Sequence, residues 1–487
     1  MTYYYDTMLA EYIKNPGQRG LGLDALADKK FNYEMISYSD ISEKKKLSFE
    51  EVDLQKAAIY SGEDVYMTYK LYKEQQANPY ITNSSVLDSM ELPLLKVLSD
   101  MEQTGIKIDR DILKGIGLRL EQAISELQKE IHDIAGVEFN INSPKQVGEI
   151  LFESLGLPSS KKTKTGYSVN AEVLDGLKSE YPIAEKIVTY RHYSKLQSTY
   201  IQGLLEVATD EDRIHTSYNQ IITSTGRLSS NSPNLQNIPT GNDIAGEIRT
   251  AFIPDADEDY LMAFDYSQVE VRLLAIMSGD ENLLDAFKQG KDIHQVTGEF
   301  IFKTKDISGK QRQFAKAVNF GVIYGISPFG LSKMIDVTQK DAKVYIDAFY
   351  ENYPKVREFF DDVILGCKRN SFVETMFARR RYIPSINDAN KMIQKGAERE
   401  AINMPIQGTN ADIIKLAMIQ VVKMLEDGNY KSTMLLQVHD ELVFNIKADE
   451  KDELEVKIPY IMENILNNAP IELKVDGAIG KNWKETK

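Results

Sequence analysis

Two aspartates far apart in the chain, Asp265 and Asp440, each stand where a short apolar run gives way to polar residues: DYLMAFDYSQ in one case, LLQVHDEL in the other. Carboxylate oxygens suit hard divalent cations such as Mg²⁺, which retain several waters and take only one or two carboxylates. Brought to neighbouring strand ends, the pair could share two ions about 3.5–4 Å apart, the arrangement for in-line attack at phosphorus. One ion would lower the pKa of an attacking hydroxyl, and the other would hold a triphosphate and its leaving oxygen. The competing reading is that both aspartates only form turns.

A second constellation lies in QRQFAKAVNFGVIYG, where Arg312, Lys316, Phe320 and Tyr324 recur at steps of four. Each step turns about 40° on an α-helix, so all four follow one slowly winding face. Two cations followed by two rings suit a nucleoside triphosphate, with cations on the phosphates and a ring against sugar or base. An amphipathic helix with rings inward and cations snorkelling outward is the alternative. The loop TSTGRLSSNSPNLQNIP (223–239) holds one cation, Arg227, among neutral donors and acceptors. Gly226 permits close backbone approach, and Asn234, Gln236 and Asn237 could read a base-pair edge or sugar, unless the loop is simply polar. Arg379, Arg380 and Arg381 in MFARRRYIP point to phosphate or to a salt-bridged surface. INMPIQGTNADIIK sets Asn403 and Gln407 four apart on one helical face.

These residues need elements to position them. Tyr260 to Phe264 predicts a short strand ending at Asp265, then a helix start with Val269, Leu273 and Ile276 on one side. TMLLQVHDELVFNI predicts a β-hairpin around His439, Asp440 and Glu441. Ile112, Leu113, Ile116, Leu120, Ile124, Leu127, Ile131 and Ile134 predict one long helix ended by Gly136. Leu92 to Met101 reads as a second helix closed by Gly105, and an antiparallel pairing of the two would bury both stripes. Ser143-Pro144 opens another helix, and residues 283–430 are mostly helical. SSKKTKTGY (159–167) is a basic loop, either a polar tip or a phosphate contact, and SEKKKLSFEE (42–51) is a solvated turn.

Composition bounds the class. The chain has 487 residues, 42% apolar and 27% charged, the balance of a soluble globular protein of about three domains. No apolar run approaches the roughly 18 residues that cross a bilayer, and MTYYYDTMLAEY is no secretory signal. The single cysteine, Cys367, excludes an intramolecular disulfide framework and suits a reducing compartment. A net charge of -15 argues against coating nucleic acid by bulk attraction, but leaves room for local basic faces.

DYSQVEVRLLA, RQFAKAVNFGVIYG and QVHDELV, in this order, resemble the three signature motifs of family A DNA polymerases. The loop TGRLSSNSPNLQNIP and the helix INMPIQGTNADIIK resemble two further blocks, so the likeness covers nearly the whole chain. The resemblance implies a mixed α/β, right-hand architecture: an exonuclease-like remnant over 1–79, a helical thumb over 80–205, an antiparallel-sheet palm over 206–288 and 389–487, and helical fingers over 289–388. It implies DNA-directed DNA synthesis on primer–template DNA from deoxynucleoside triphosphates, with two Mg²⁺ ions for which Mn²⁺ can substitute. It also implies a monomer with no membrane partner, cytoplasmic and nucleoid-associated, or organellar in a eukaryote.

The same resemblance implies roles. Asp265 and Asp440 would hold the metals, with the Tyr266 carbonyl, and Glu441 would be a nearby supporting or ligating carboxylate. Arg312, Lys316 and His294 would grip phosphates, Lys316 also giving a proton to the leaving pyrophosphate. Phe320 would lie by the sugar, Tyr324 near the templating position, Gln268 at the nucleotide, and Glu270 would block a 2′-hydroxyl. Arg227 and Gln407 would probe the minor groove, while His439, Asn234, Gln236, Asn237, Arg272 and Asn403 would contact primer or template. Four departures stand out: Ile276 where many relatives have His, Gln295 where Arg or Thr is common, Ala378 for a frequent Gly, and Asn410 where Ala is usual. None is expected to touch a metal ligand or the cation-bearing stripe, so any effect should fall on rate or fidelity.

In the first 80 residues, Tyr60 and Asp64 keep the Tyr-x-x-x-Asp spacing of the family's third proofreading motif. The acidic motifs that complete that site should lie further N-terminal than this sequence begins. One carboxylate cannot hold two metals, so neither proofreading nor flap-nuclease activity is expected. Two rival readings remain: a phage-type single-subunit RNA polymerase, disfavoured by Glu270 and Phe320, and a catalytically silent DNA-binding subunit.

Overall fold

The computed structural model describes residues 5–44, 46–158, 162–163 and 166–486. The basic segment 159–167 lies largely outside the described residues.

A four-stranded antiparallel sheet sits at the centre, in the order Thr433–Val438, Glu441–Ile446, Tyr260–Tyr266, Val475–Gly480. The alternation of a strand sends successive side chains to opposite faces. Met262 and Phe264, with Leu442 and Phe444, join the large core under Val269–Ser278 and Lys391–Asp427. Leu261, Ala263 and Val443 join a second core around Phe252 and Trp483. A sheet buried on both faces needs near-continuous apolar strands, and Glu441–Ile446 is buried throughout. The hairpin and the strand into Asp265 form where the sequence pattern puts them.

The long amphipathic helix spans Arg110–Ala135 and ends on Gly136, whose φ of 70° is the left-handed conformation that glycine adopts without strain. Its expected partner is corrected. The helix packs on Pro182–Lys195, burying Ile131 against Ile183 and Ile187. Leu92–Thr104 instead lays Leu94, Val97 and Met101 against Val421, Leu425 and Met434. The cause lies between them: Ile106–Ile108 is a strand paired on both edges, with Arg213–Ile214 and Phe252–Ile253, so the chain runs straight instead of folding back.

The first eighty residues are not a separate layer. Leu9, Ile13 and Leu71 share one apolar cluster with Ile81, Val86 and Leu87, so the core crosses the boundary expected at 79/80. Tyr12, fully buried, donates its hydroxyl to the Thr223 carbonyl at 2.7 Å. Gly17 (φ 86°) lies so close to this loop that a Cβ there would stand 2.8 Å from that of Ser224.

The phosphate expectation for the arginine run is also corrected. Arg379 is fully buried, its guanidinium 2.5 Å from Glu91 and 2.6 Å from Asp412. Lys415, also buried, reaches Glu91 at 2.7 Å, and Gln220 donates to the same carboxylate at 2.6 Å. Two cations and two anions therefore cancel inside the protein. Arg380 and Arg381 pair with Glu374 at 2.6 Å and Glu400 at 2.7 Å. Gly226 serves this knot, because a Cβ there would come within 2.8 Å of Arg379 Nε.

Ala378, just before the knot, has φ 66° and is exposed. A Cβ in that conformation is strained, which accounts for a glycine being the better fit. Ala378→Gly is expected to stabilise the protein by about 0.5–1 kcal/mol, read as a raised urea midpoint; an equal or lower midpoint would show that the strain is relieved elsewhere.

Candidate active site

Asp265 lies opposite Glu441 in the sheet register, and the Tyr266 N–H donates to the Asp440 carbonyl at 3.2 Å. The two sequence-distant aspartates therefore meet at one end of the central strands. Asp440 follows His439, whose φ of 55° makes the hairpin turn. Asp265, Asp440, His439, Glu441, Gln236 and Asn237 line one cavity of about 570 Å³. Among the described residues no three or more His, Cys, Asp or Glu side chains converge to cage a metal alone. Two carboxylates opening on a polar cavity fit an ion that keeps waters and takes its other ligands from substrate.

Glu441 has a second engagement beside the cavity. It is buried and its Oε1 accepts from the Trp483 indole N–H at 2.8 Å, with Arg249 3.9 Å off. This hydrogen bond fits the supporting role, and Glu441 still lines the cavity beside Asp265 and Asp440. The expectation about the four departures is corrected: Asn410 donates from Nδ2 to Asp440 Oδ1 at 2.9 Å.

The four-residue stripe lies on the helix Gly309–Ile323, with Tyr324 as its C-cap. Ala315, Val318, Asn319 and Val322 face the core, which leaves Lys316 exposed, Phe320 half-buried and Tyr324 37% exposed. The inward-ring alternative therefore fails for Tyr324. Arg312 is held by Asp292, 2.7 Å from Nε and 2.6 Å from the terminal nitrogen. Burial raises the Asp292 carboxyl, but Arg312 and the backbone N–H groups of His294 and Gln295 outweigh it and leave it below its ordinary value.

His294 is buried, with Nδ1 2.8 Å from the Asn319 amide and its ring near Phe320. Burial pushes its pKa down to about 4, so near neutral pH it is a neutral imidazole and not a cation.

Glu270 begins the helix Val269–Ser278 that follows the Asp265 strand. It accepts from Arg227 at 2.6 Å and from the Tyr324 hydroxyl at 2.7 Å. Burial raises its pKa, and those two donors offset this only in part. Tyr324 is pushed up to about 12 by burial and by the Glu270 charge, and Gln407 also bonds to it. One glutamate, on the helix that follows the Asp265-bearing strand, thus links the C-cap of the stripe to the loop cation Arg227.

Asn234 and Asn237 are exposed, and Gln236 donates to Gln437 Oε1 at 2.8 Å. His439 is exposed at the turn tip. Gln268 is half-buried in the left-handed conformation (φ 52°). Asn403 keeps a buried Oδ1 without a partner, and Pro405 lies within the continuous helix between it and Gln407. Arg272 donates to the carbonyls of Ser267 (3.1 Å) and Glu472 (3.0 Å) and lies over Phe287, so it braces the backbone here.

The sequence profile of DNA polymerase family A matches residues 110–485. The chain belongs to this family. It is 48% identical over 422 residues to DNA polymerase I of Lactococcus lactis, covering 86% of this chain and 48% of that protein. It is 42% identical over 495 residues to DNA polymerase I of Bacillus subtilis, covering 99% of this chain and 55% of that protein. The chain thus spans about half the length of the curated relatives it matches. Among solved structures it resembles the polymerase domain of Pol1 from M. smegmatis, in complex with DNA primer-template and dNTP. The TM-score is 0.88 at 34% identity, over 99% of this chain and 82% of that one. The sheet and helices match that polymerase domain, so the right-hand fold holds. Family A polymerases use divalent metal ions, which agrees with the paired carboxylates.

Around this family A site, sequence reasoning missed three groups. Gln437 donates to the His439 carbonyl at 2.5 Å and so fixes the turn. Trp483 and Arg249 engage Glu441. Asn410 reaches Asp440. Gln437 carried a signal as a polar residue inside an apolar strand, and Asn410 one as a departure from the family pattern.

Proposed function

We propose that this chain extends a DNA primer on a template, joining deoxynucleoside triphosphates to the 3′-hydroxyl with two Mg²⁺ ions. The observation that carries the proposal is the Glu270 bond to Tyr324 at 2.7 Å, which ties the cation-bearing helix to the helix that follows the Asp265-bearing strand. Asp265, Asp440 and the Tyr266 carbonyl would hold the ions, which when bound activate the primer hydroxyl and carry the charge of the leaving pyrophosphate. Arg312 exchanges Asp292 for the triphosphate. Lys316 gives the leaving group its proton. Phe320 flanks the sugar and Glu270 crowds its 2′ position. Arg227 and Gln407 face the new base pair, with Asn234, Gln236, Asn237 and His439 along the primer and template. His294 serves the phosphates as a neutral N–H donor. Swinging Arg312 and Lys316 onto a correctly paired nucleotide lets binding energy assemble the site.

Primer extension with deoxy- and ribonucleotides tests this reading against an RNA polymerase and against a silent binding protein. Incorporation should need a divalent metal and favour deoxynucleotides. Glu270→Ala should raise ribonucleotide use by about 10- to 100-fold, the range that a lost steric contact supports. An unchanged sugar preference would remove Glu270 from the gate, and binding without incorporation would remove the enzyme.

A further inference from the structure

Asn410 is fully enclosed in the helix Lys391–Asp427, among buried residues on both sides. Its Nδ2 donates to Asp440 Oδ1 at 2.9 Å, while its own Oδ1 is buried without a hydrogen-bond partner. An ionised carboxylate only accepts, so the amide must turn its nitrogen toward Asp440. An orphaned buried acceptor costs stability, and an apolar side chain would avoid that cost. The asparagine is therefore unfavourable for packing and useful only for what its nitrogen holds. Asp440 itself stands on a tight turn, half-exposed, and Asn410 is the side chain that donates to it among the described residues.

We propose that Asn410 is a positioning residue for Asp440. It fixes the carboxylate's rotation, occupies one Oδ1 lone pair and leaves Oδ2 aimed at the cavity for a divalent cation. Being neutral, it adds no charge that would compete with the ion. Groups that orient metal-binding carboxylates typically change metal affinity by about 10- to 100-fold when removed. The proposal rests on the reading of Asp440 as a metal ligand.

The test is a Mn²⁺ titration of the whole chain bound to primer–template, following free Mn²⁺ by electron paramagnetic resonance. Asn410→Ala and the near-isosteric Asn410→Leu should each bind Mn²⁺ about 10-fold more weakly than the parent, with a thermal midpoint that is unchanged or higher. Their extension rate should recover as Mg²⁺ is raised. Asp440→Ala is the control. If it loses Mn²⁺ while both Asn410 variants keep parental affinity, Asn410 positions nothing and the reading of Asp440 stands. If Asp440→Ala binds like the parent, that reading fails and the positioning role with it. Weaker binding accompanied by a lowered midpoint in both Asn410 variants would make Asn410 a structural residue and overturn the proposal.

Discussion

Asp265→Ala and Asp440→Ala are each expected to slow primer extension by at least about 10³-fold, because losing one carboxylate of the pair forfeits several kcal/mol of charge stabilisation in the transition state. Primer–template affinity should stay within a few-fold of the parent or rise slightly. The phosphate backbone is repelled by these carboxylates, so removing one lowers an electrostatic cost. The polar residues proposed to face DNA, Asn234, Asn237 and His439, do not lean on either aspartate's side chain. Extension rates under single turnover, beside equilibrium binding of a labelled primer–template, separate the two effects. Extension within tenfold of the parent by either variant would dismiss the pair as the metal site.

The largest effect on stability is expected at Glu91. Its carboxylate is wholly buried and accepts from Arg379, Lys415 and Gln220. Burial raises its pKa, but Lys415 and Arg379 overcome this and hold it down to about 2. Glu91→Ala leaves Arg379 and Lys415 facing Asp412 alone, with one uncompensated buried positive charge, and should cost about 3–5 kcal/mol. Glu91→Met combined with Lys415→Met removes one charge of each sign and should recover most of that loss. Urea denaturation of parent, single and double variants is the measurement. A loss under about 1 kcal/mol for Glu91→Ala would show that water or rearrangement satisfies the cations. The sign of the pH dependence follows from the lowered pKa. The Glu91 contribution is complete above the unfolded carboxyl value of about 4.3 and is lost as the pH falls from there through about 2.

Features governed by local periodicity were legible in the sequence. The alternation around Asp265 and Asp440, the helix Arg110–Ala135 with its Gly136 end, and the four-step stripe all follow from which face a residue occupies. What was not legible depends on partners distant along the chain. Three consecutive arginines look like surface, and Arg379 is buried only because Glu91 and Asp412 arrive from elsewhere with opposite charge. Leu92–Thr104 and Arg110–Ala135 each show an apolar stripe, but a stripe does not say which helix will cover it; the intervening strand decides that. The roles of Glu441 and Arg272 followed a motif, whereas their hydrogen bonds follow Trp483 and the Ser267 and Glu472 carbonyls. Asn410 looks harmless in the sequence because nothing local to it names Asp440.

Tyr12 holds the Thr223 carbonyl, the Thr223 hydroxyl holds the Arg227 carbonyl at 2.6 Å, and the Arg227 side chain holds Glu270. Three links therefore run from the first helix of the chain to the carboxylate proposed to sort sugars. A segment whose family likeness concerns a nuclease thus braces the loop that carries Arg227. Substitutions near the N-terminus, though remote along the chain, touch the hydrogen-bond network that holds the carboxylate to which Tyr324 also bonds.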